Sequence, residues 1–348
     1  MRRGVVIAAV TLAAVAGAAF AFRAPLLQRI VDARIDANLT RANTGLLDDG
    51  QLHVVLCGTA AALPDPDRAG PCTAILADGQ FLLIDAGPGS WRVLDRLNLP
   101  VARLSALLLT HLHSDHIGEV GEAVEQSWIA GRRQPLPVYG PPGTEDVVAG
   151  FAQAYRRDVG YRVAHHGAEA MPGEAAPAIA QVIAPPEGTA AVPVFEANGL
   201  TVEAFRVEHA PVDVAYGYRI RWRGRTVVIS GDTKKSPSVI DNARGADLLL
   251  HEALAAAMTG RAVERAAALG ISRTAKLAGD VADYHTTPVE AAEVAQAAGV
   301  QRLVYTHIFP PLPNALARRL FLAGTAEAYA GPQQLGEDGL RIDFAPRP

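Results

Sequence analysis

Directly behind the apolar run Leu107-Leu108-Leu109-Thr110, the chain places His111, His113, Asp115 and His116 within six positions. The whole sequence has only 10 histidines, so this concentration asks for a chemical reason. In an extended segment His111 and His113 project to the same side, because side chains alternate with period two. Asp115 and His116 follow as the chain turns into a helix, so one short stretch can offer ligands to two neighbouring ions. Imidazole with carboxylate suits zinc, at roughly 2.0–2.2 Å per bond, and also iron or manganese.

The elements that must position such ligands repeat one pattern. Apolar strands end abruptly in a polar residue: "FRVE" into His209, "TVVISG" into Asp232, "DLLL" into His251, "RLVYT" into His307. Sites in α/β sheets gather at the carboxyl ends of strands, so these residues are expected to converge. Asp78-Gly79 within 74–85 signals a β-hairpin, and 216–230 reads as a second one turning near Arg223-Gly224. Helices are predicted over 89–98, 116–130, 144–158, 252–269, 288–298 and 314–329. Thr287-Pro288-Val289-Glu290 has the form of a capping box with proline at the first helical position. Hairpins mixed with βα units imply α/β layers with mixed sheets. Residues 160–200, rich in Ala, Pro and Gly, read as an insertion or loop region.

A net charge of −4 and lysines only at 234, 235 and 276 count against a nucleic-acid partner, which normally needs a basic stripe. Arg2 and Arg3 precede an uninterrupted apolar stretch from Gly4 to Phe22, with Ala19-Phe20-Ala21 resembling a cleavage site. Residues 1–22 therefore read as a signal peptide or a transmembrane anchor, and either puts the rest outside the cytoplasm, in the periplasm or secreted. An amphipathic linker helix over 23–50 is expected to follow, then a hydrolase domain over 51–348. In an oxidising compartment Cys57 and Cys72 would close a loop of about 15 residues, worth roughly 3 kcal/mol. Two unpaired buried thiols are the other outcome.

The string "HLHSDH" at 111–116, with His209, "SGDT" at Asp232, "YTH" at His307 and "LLIDAGPGS" at 82–90, resembles the metallo-β-lactamase superfamily over 52–345. The resemblance implies a four-layer αβ/βα sandwich with two mixed sheets. It also implies two zinc ions, with manganese or iron as substitutes. One metal would be held by His111, His113 and His209, the other by Asp115, His116 and His307, with Asp232 bridging. Asp85 would orient ligands rather than bind metal. Within the superfamily, "DLLLHEAL" (247–254) and "YHTTPVEAAEVAQAAGV" (284–300) look like elements of the ribonuclease Z and arylsulfatase-like branch. Leu254 and Thr286 depart from that branch's usual Thr and Ser, and no lysine-rich arm of the kind that grips tRNA is apparent. The bridging Asp argues against antibiotic hydrolysis.

The expected activity is metal-dependent hydrolysis of a phosphodiester or related ester (sulfate ester, lactone) outside the cytoplasm. Asp115 would orient the attacking water, and His285, held by Glu252, would protonate the leaving group. The expected partners are a small anionic or ester substrate and the membrane through residues 4–22; nucleic acid is not expected, and a homodimer is left open. Ribonuclease Z-type RNA cleavage and a non-catalytic metal-bound scaffold are the competing readings. His53, His165-His166, Lys234-Lys235, Tyr216 and Tyr218 have the bland explanations of packing or solvation.

Overall fold

The computed structural model describes residues 23–347. The described residues divide into two compact units, 23–43 and 44–347. In the first, a helix α1 over 23–39 carries Leu27, Ile30, Val31 and Ile35 on its surface, all exposed. The signal or anchor expected at 1–22 lies outside the described residues. Among the described residues no helix is long and apolar enough to cross a membrane. The second unit opens with Leu46 and Leu47 buried, ahead of position 51.

Two sheets make the centre of the second unit. The first contains β1 (Leu52–Gly58), β2 (Cys72–Ala77), β3 (Gln80–Ile84), β4 (Leu104–Leu108), β5 (Leu136–Gly140), β6 (Ala178–Val182) and β14 (Arg341–Phe344). Their order is β14-β1-β2-β3-β4-β5-β6, antiparallel up to β3 and parallel from there on. The second contains β7 (Val192–Ala197), β8 (Leu200–Val207), β9 (Ala215–Trp222), β10 (Arg225–Ile229), β11 (Leu248–Leu254), β12 (Leu303–Phe309) and β13 (Gln333–Leu335). It mirrors the first, with β10 to β13 parallel and β7 to β10 antiparallel.

Leu82, Ile84 and Leu108 of one sheet pack against Ile220, Trp222, Val227 and Leu250 of the other. On the outer face of the first sheet lie α2 (Ser90–Arg96), α4 (Val120–Ile129) and α5 (Thr144–His166). The second is covered by α6 (Pro237–Asn242), α9 (Pro288–Ala298) and α10 (Ala315–Phe321). The result is the α/β sandwich of four layers. Each layer buries one apolar face, the arrangement that satisfies two sheets at once.

Three two-residue turns close the hairpins: Asp78-Gly79 (φ 44° and 80°), Asn198-Gly199 (51° and 81°) and Arg223-Gly224 (40° and 74°). Positive φ at both positions matches the twist of the flanking strands, which is why glycine stands second each time. The turns also hold one another. The Asp78 carboxylate accepts from Trp222 Nε1 at 2.7 Å and Arg223 Nε at 3.0 Å, and Asn198 Nδ2 donates to the Asp78 carbonyl at 3.0 Å. Cys57 and Cys72 are disulfide-bonded with Cα atoms 4.9 Å apart, Cys57 being the extra residue in a bulge of β1.

Several helix expectations shift. The 116–130 helix breaks into α3 (Ser114–Ile117) and α4, because Glu119 leaves the helical path and accepts hydrogen bonds from Gly89 and Trp91 N–H groups. The helix expected from 144 to 158 runs on to His166. Residues 252–254 belong to β11, and the helix placed there begins later, as α7 (Ala256–Ala268). The 314–329 helix splits at Gly324 into α10 and α11 (Thr325–Ala328). The segment 160–200 contributes edge strands β6 and β7; half-exposed edges lack the apolar run that marks central strands. One helix, α8 (Ser272–Val281), has no counterpart among the expectations.

Candidate metal centre

Asp85 follows β3 with φ 58°, a conformation non-glycine residues seldom hold without surrounding support. That support is visible. One carboxylate oxygen accepts from Thr110 N–H, and the other accepts from Thr110 Oγ1 and His116 Nδ1, each at 2.8 Å. The proton of His116 is thereby fixed on Nδ1, and Nε2 is left with its lone pair. Nε2 is buried without a hydrogen bond, 3.3 Å from Asp232 Oδ2 and 3.6 Å from Asp115 Oδ2. The loop after Asp85 presses so close to α3 that a Cβ on Gly87 would lie 2.3 Å from the Asp115 carbonyl oxygen.

Beyond β4, His111 Nε2 lies 2.9 Å from His113 Nδ1, and His209 Nε2 lies 3.4 Å from that same atom. His209 Nδ1 donates to the Tyr284 carbonyl at 3.0 Å, which turns Nε2 toward the other two rings. After β10, Gly231 (φ 61°) makes a turn in which a Cβ would sit 2.3 Å from the Tyr216 carbonyl oxygen. Asp232 is delivered at the end of that turn, its Oδ2 3.1 Å from His307 Nε2 and 3.9 Å from His111 Nε2 and His209 Nε2.

His307 is the extra residue of a bulge in β12: Thr306 pairs with Glu252 and Ile308 with Ala253. Its φ of 47° re-aims the imidazole, the usual work of a bulge beside a site. Its Nε2 reaches 3.3 Å from Asp115 Oδ2, while Nδ1 is buried without a partner.

Two donor groups result, His111/His113/His209 and Asp115/His116/His307, with Asp232 between them. Imidazole nitrogens turned toward one another, and a buried His116 Nε2 with no hydrogen-bond partner between two carboxylates, fit divalent cations, and the imidazole–carboxylate chemistry agrees. The protonation pattern agrees for three of the imidazoles; His116 is the exception, since burial disfavours its imidazolium but the Asp232 and Asp85 carboxylates outweigh it and raise the group well above the ordinary imidazole range. Burial, reinforced by the neighbouring His116, holds His111 well below the ordinary imidazole range, and burial lowers His113 and His209. Burial opposes ionisation of Asp115 and Asp232, yet the adjacent imidazoles win, bringing Asp115 to about 2 and holding Asp232 well below its usual value.

Beside this centre, Glu252 Oε1, from within β11, accepts from His285 Nδ1 at 3.0 Å, Thr286 N–H at 3.0 Å and Thr233 N–H at 3.2 Å. Burial disfavours the imidazolium of His285, but the Glu252 carboxylate outweighs it and pushes the group up to about 9. His285 therefore carries its proton at neutral pH. Its ring stacks near His307 with centroids 5.3 Å apart and lines the same cavity as Asp115, Asp232 and His307.

The remaining polar residues stand apart from these groups. His251 is wholly buried within β11, its Nδ1 against the Glu252 carbonyl, and does not join them. His53 pairs with Asp343, and Lys235 pairs with Glu293. His165 and His166 end α5 in solvent. The rings of Tyr216 and Tyr218 fill the core between the sheets. Two contributors have no advance signal in the sequence: Thr110, which ties Asp85 to His111 and His116, and Tyr284, whose carbonyl orients His209.

Fold and donor set together define a metal-dependent hydrolase that acts on ester bonds. A family model described as "Beta-lactamase superfamily domain" matches residues 80–308. The chain belongs to the metallo-β-lactamase superfamily and lies close to the ribonucleases Z. Ribonuclease Z of Mycobacterium bovis (strain BCG / Pasteur 1173P2) is 36% identical over 305 residues, 85% of this chain and 99% of that one. Ribonuclease Z of Mycolicibacterium paratuberculosis is 36% identical over 294 residues, 84% and 98% of the two chains. Among solved structures, the short form of human tRNase Z superposes with a TM-score of 0.59 at 22% identity, covering 85% of this chain and 100% of that one. At that identity the likeness speaks for the fold alone.

These relatives overturn three expectations. An ester hydrolase working outside the cytoplasm, on substrates from which nucleic acid is excluded, does not agree with relatives named ribonucleases along nearly their whole length. Net charge and lysine count are averages over the entire surface, and they say nothing about the face where imidazoles and bound cations meet a phosphate. Export and membrane attachment rested on residues 4–22, outside the described residues, and are withdrawn with the substrate reading that accompanied them.

Proposed function

We propose that this chain is a ribonuclease Z-type endoribonuclease, with its catalytic unit in the residues from Thr44 onward. The observation that carries the reading is 36% identity along 99% of a ribonuclease Z. We assign one metal to His111, His113 and His209, the other to Asp115, His116 and His307, and the bridge to Asp232. Zinc suits these donors best, with manganese or iron as substitutes. Two such cations, when bound, supply an activated water and neutralise charge at the phosphoryl group.

The protein's own residues do the rest. Asp115 is ionised and accepts a hydrogen bond from the attacking water, which orients it toward phosphorus. As the new P–O bond forms, the bond to the leaving nucleoside oxygen breaks. His285 donates the Nε2 proton to that oxygen, because Nδ1 is engaged by Glu252. Glu252 keeps the ring turned and charged.

Incubation of the zinc- or manganese-loaded protein with a tRNA precursor bearing a 3′ trailer tests this, with a single internal cut as the expected product. Intact, metal-loaded protein that leaves the precursor whole would overturn the reading. His285→Ala should lower kcat by about 10²–10³-fold with metal content unchanged by elemental analysis, as expected for a lost proton donor. Asp232→Ala should instead lose metal.

A further inference from the structure

The cavity over the metal centre, about 460 Å³, has two unlike sides. One side is the charged constellation, with Asp115 and His285 among its members. The other is apolar, built from Leu277 and Val281 of α8 together with Leu63 and Phe309. Phe309 is buried, and with Ala61, Leu254 and Val281 it forms a small apolar cluster of its own. Leu277 and Leu63 are different: they remain 50% and 47% exposed at the cavity. Val281 packs against that cluster, but Leu277 does not join it, so the fold does not need an apolar side chain at position 277.

Apolar surface left in water beside a phosphate-handling centre fits a ligand that is charged at one end and flat and apolar at the other. We propose that this wall is a nucleobase subsite, in which the base next to the scissile phosphate lies against the exposed Leu277 and Leu63, with Val281 and Phe309 packed together behind them. The inference rests on the ribonuclease reading for the identity of the ligand. A nucleotide places its phosphate at the metals and its ring on the apolar wall within one cavity. Thr274 is the sole hydrogen-bonding side chain that α8 contributes to the lining. The base edges are therefore not read by a donor–acceptor pattern, and the subsite should accept any base, as stacking surfaces do.

Isothermal titration of the zinc-loaded full chain with the 5′- and 3′-monophosphates of adenosine and uridine, and with ribose 5-phosphate, tests the subsite. At least one isomer of each nucleotide should bind about tenfold more tightly than ribose 5-phosphate, and the two bases should agree within about threefold. Leu277→Ser and, independently, Leu63→Ser should bring the nucleotides down to the ribose 5-phosphate value. Ribose 5-phosphate binding and metal content should stay unchanged, and both sites are exposed enough for the variants to fold. Equal binding of nucleotides and ribose 5-phosphate, no binding by any nucleotide, or variants that weaken every ligand alike would each overturn the proposal. A nucleotide preference in a protein that cuts no RNA would remove the ribonuclease reading and keep the subsite; RNA cleavage without a preference would do the reverse.

Discussion

Asp85 stands outside both donor groups, yet the orientation of His116 depends on it. Its carboxylate takes the Nδ1 proton of His116 while Thr110 holds it in place from two sides. In Asp85→Asn the amide nitrogen can face His116 Nδ1–H, setting two donors against each other and releasing the tautomer. Zinc affinity of the Asp115/His116/His307 group should then fall by about 10–100-fold, measured by competition with a chromogenic chelator. An unchanged affinity would mean that the ring is held by packing alone. His111, His209 and Asp232 were legible because each follows an apolar strand, and the histidines at 111 and 113 alternate as strand residues do. His251 follows the same rule in sequence and fails it in space, since β11 continues three residues past it, to Leu254. The turn of His307 was not legible: nothing in "VYTHIF" announces an extra residue with positive φ.

At the level of elements, α4 and α5 meet around a carboxyl group in an awkward place. Glu125 Oε1 is buried without a hydrogen bond, 3.7 Å from Arg162 Nε, and Arg162 is already committed to Asp158. Burial, with help from the nearby Asp158, pushes Glu125 from its ordinary 4.5 up to about 8. The folded state thus keeps a proton that the unfolded chain gives up near 4.5. Between those values the unfolded state binds fewer protons, so stability falls as pH rises. Glu125→Gln should melt with the wild type at pH 4 and above it at pH 8; parallel melting curves across that range would show that the carboxyl is already ionised and paired. Elements were legible where their signals are local. Thr287 and Glu290 form the capping box at the start of α9, and Gly299 ends it in the left-handed conformation. Helix α8 was missed because its polar sequence buries none of its residues and so carries no core stripe.

Over the whole molecule, the two layers of strands were legible from alternating hairpin and βα signals, whereas the partner class was not. Charge is summed over a surface, and recognition happens on one part of it. The Cys57–Cys72 bond closes the loop of residues 58–71, and part of that loop lines the cavity over the metals. Replacing both cysteines by serine should cost about 3 kcal/mol in a denaturant titration. The three clipped turns around Asp78 lie at the opposite end of their strands from Asp85 and Asp232, because β3 and β10 begin at those turns and run toward these two carboxylates. The unit from Thr44 onward is thus built like a clothes peg, gripped at the spring and free at the jaws. Amide hydrogens around Trp222 and Arg225 should exchange last, and those of residues 60–68 and α8 first. Evolution could remodel the jaws, and with them the choice of substrate, without loosening the spring.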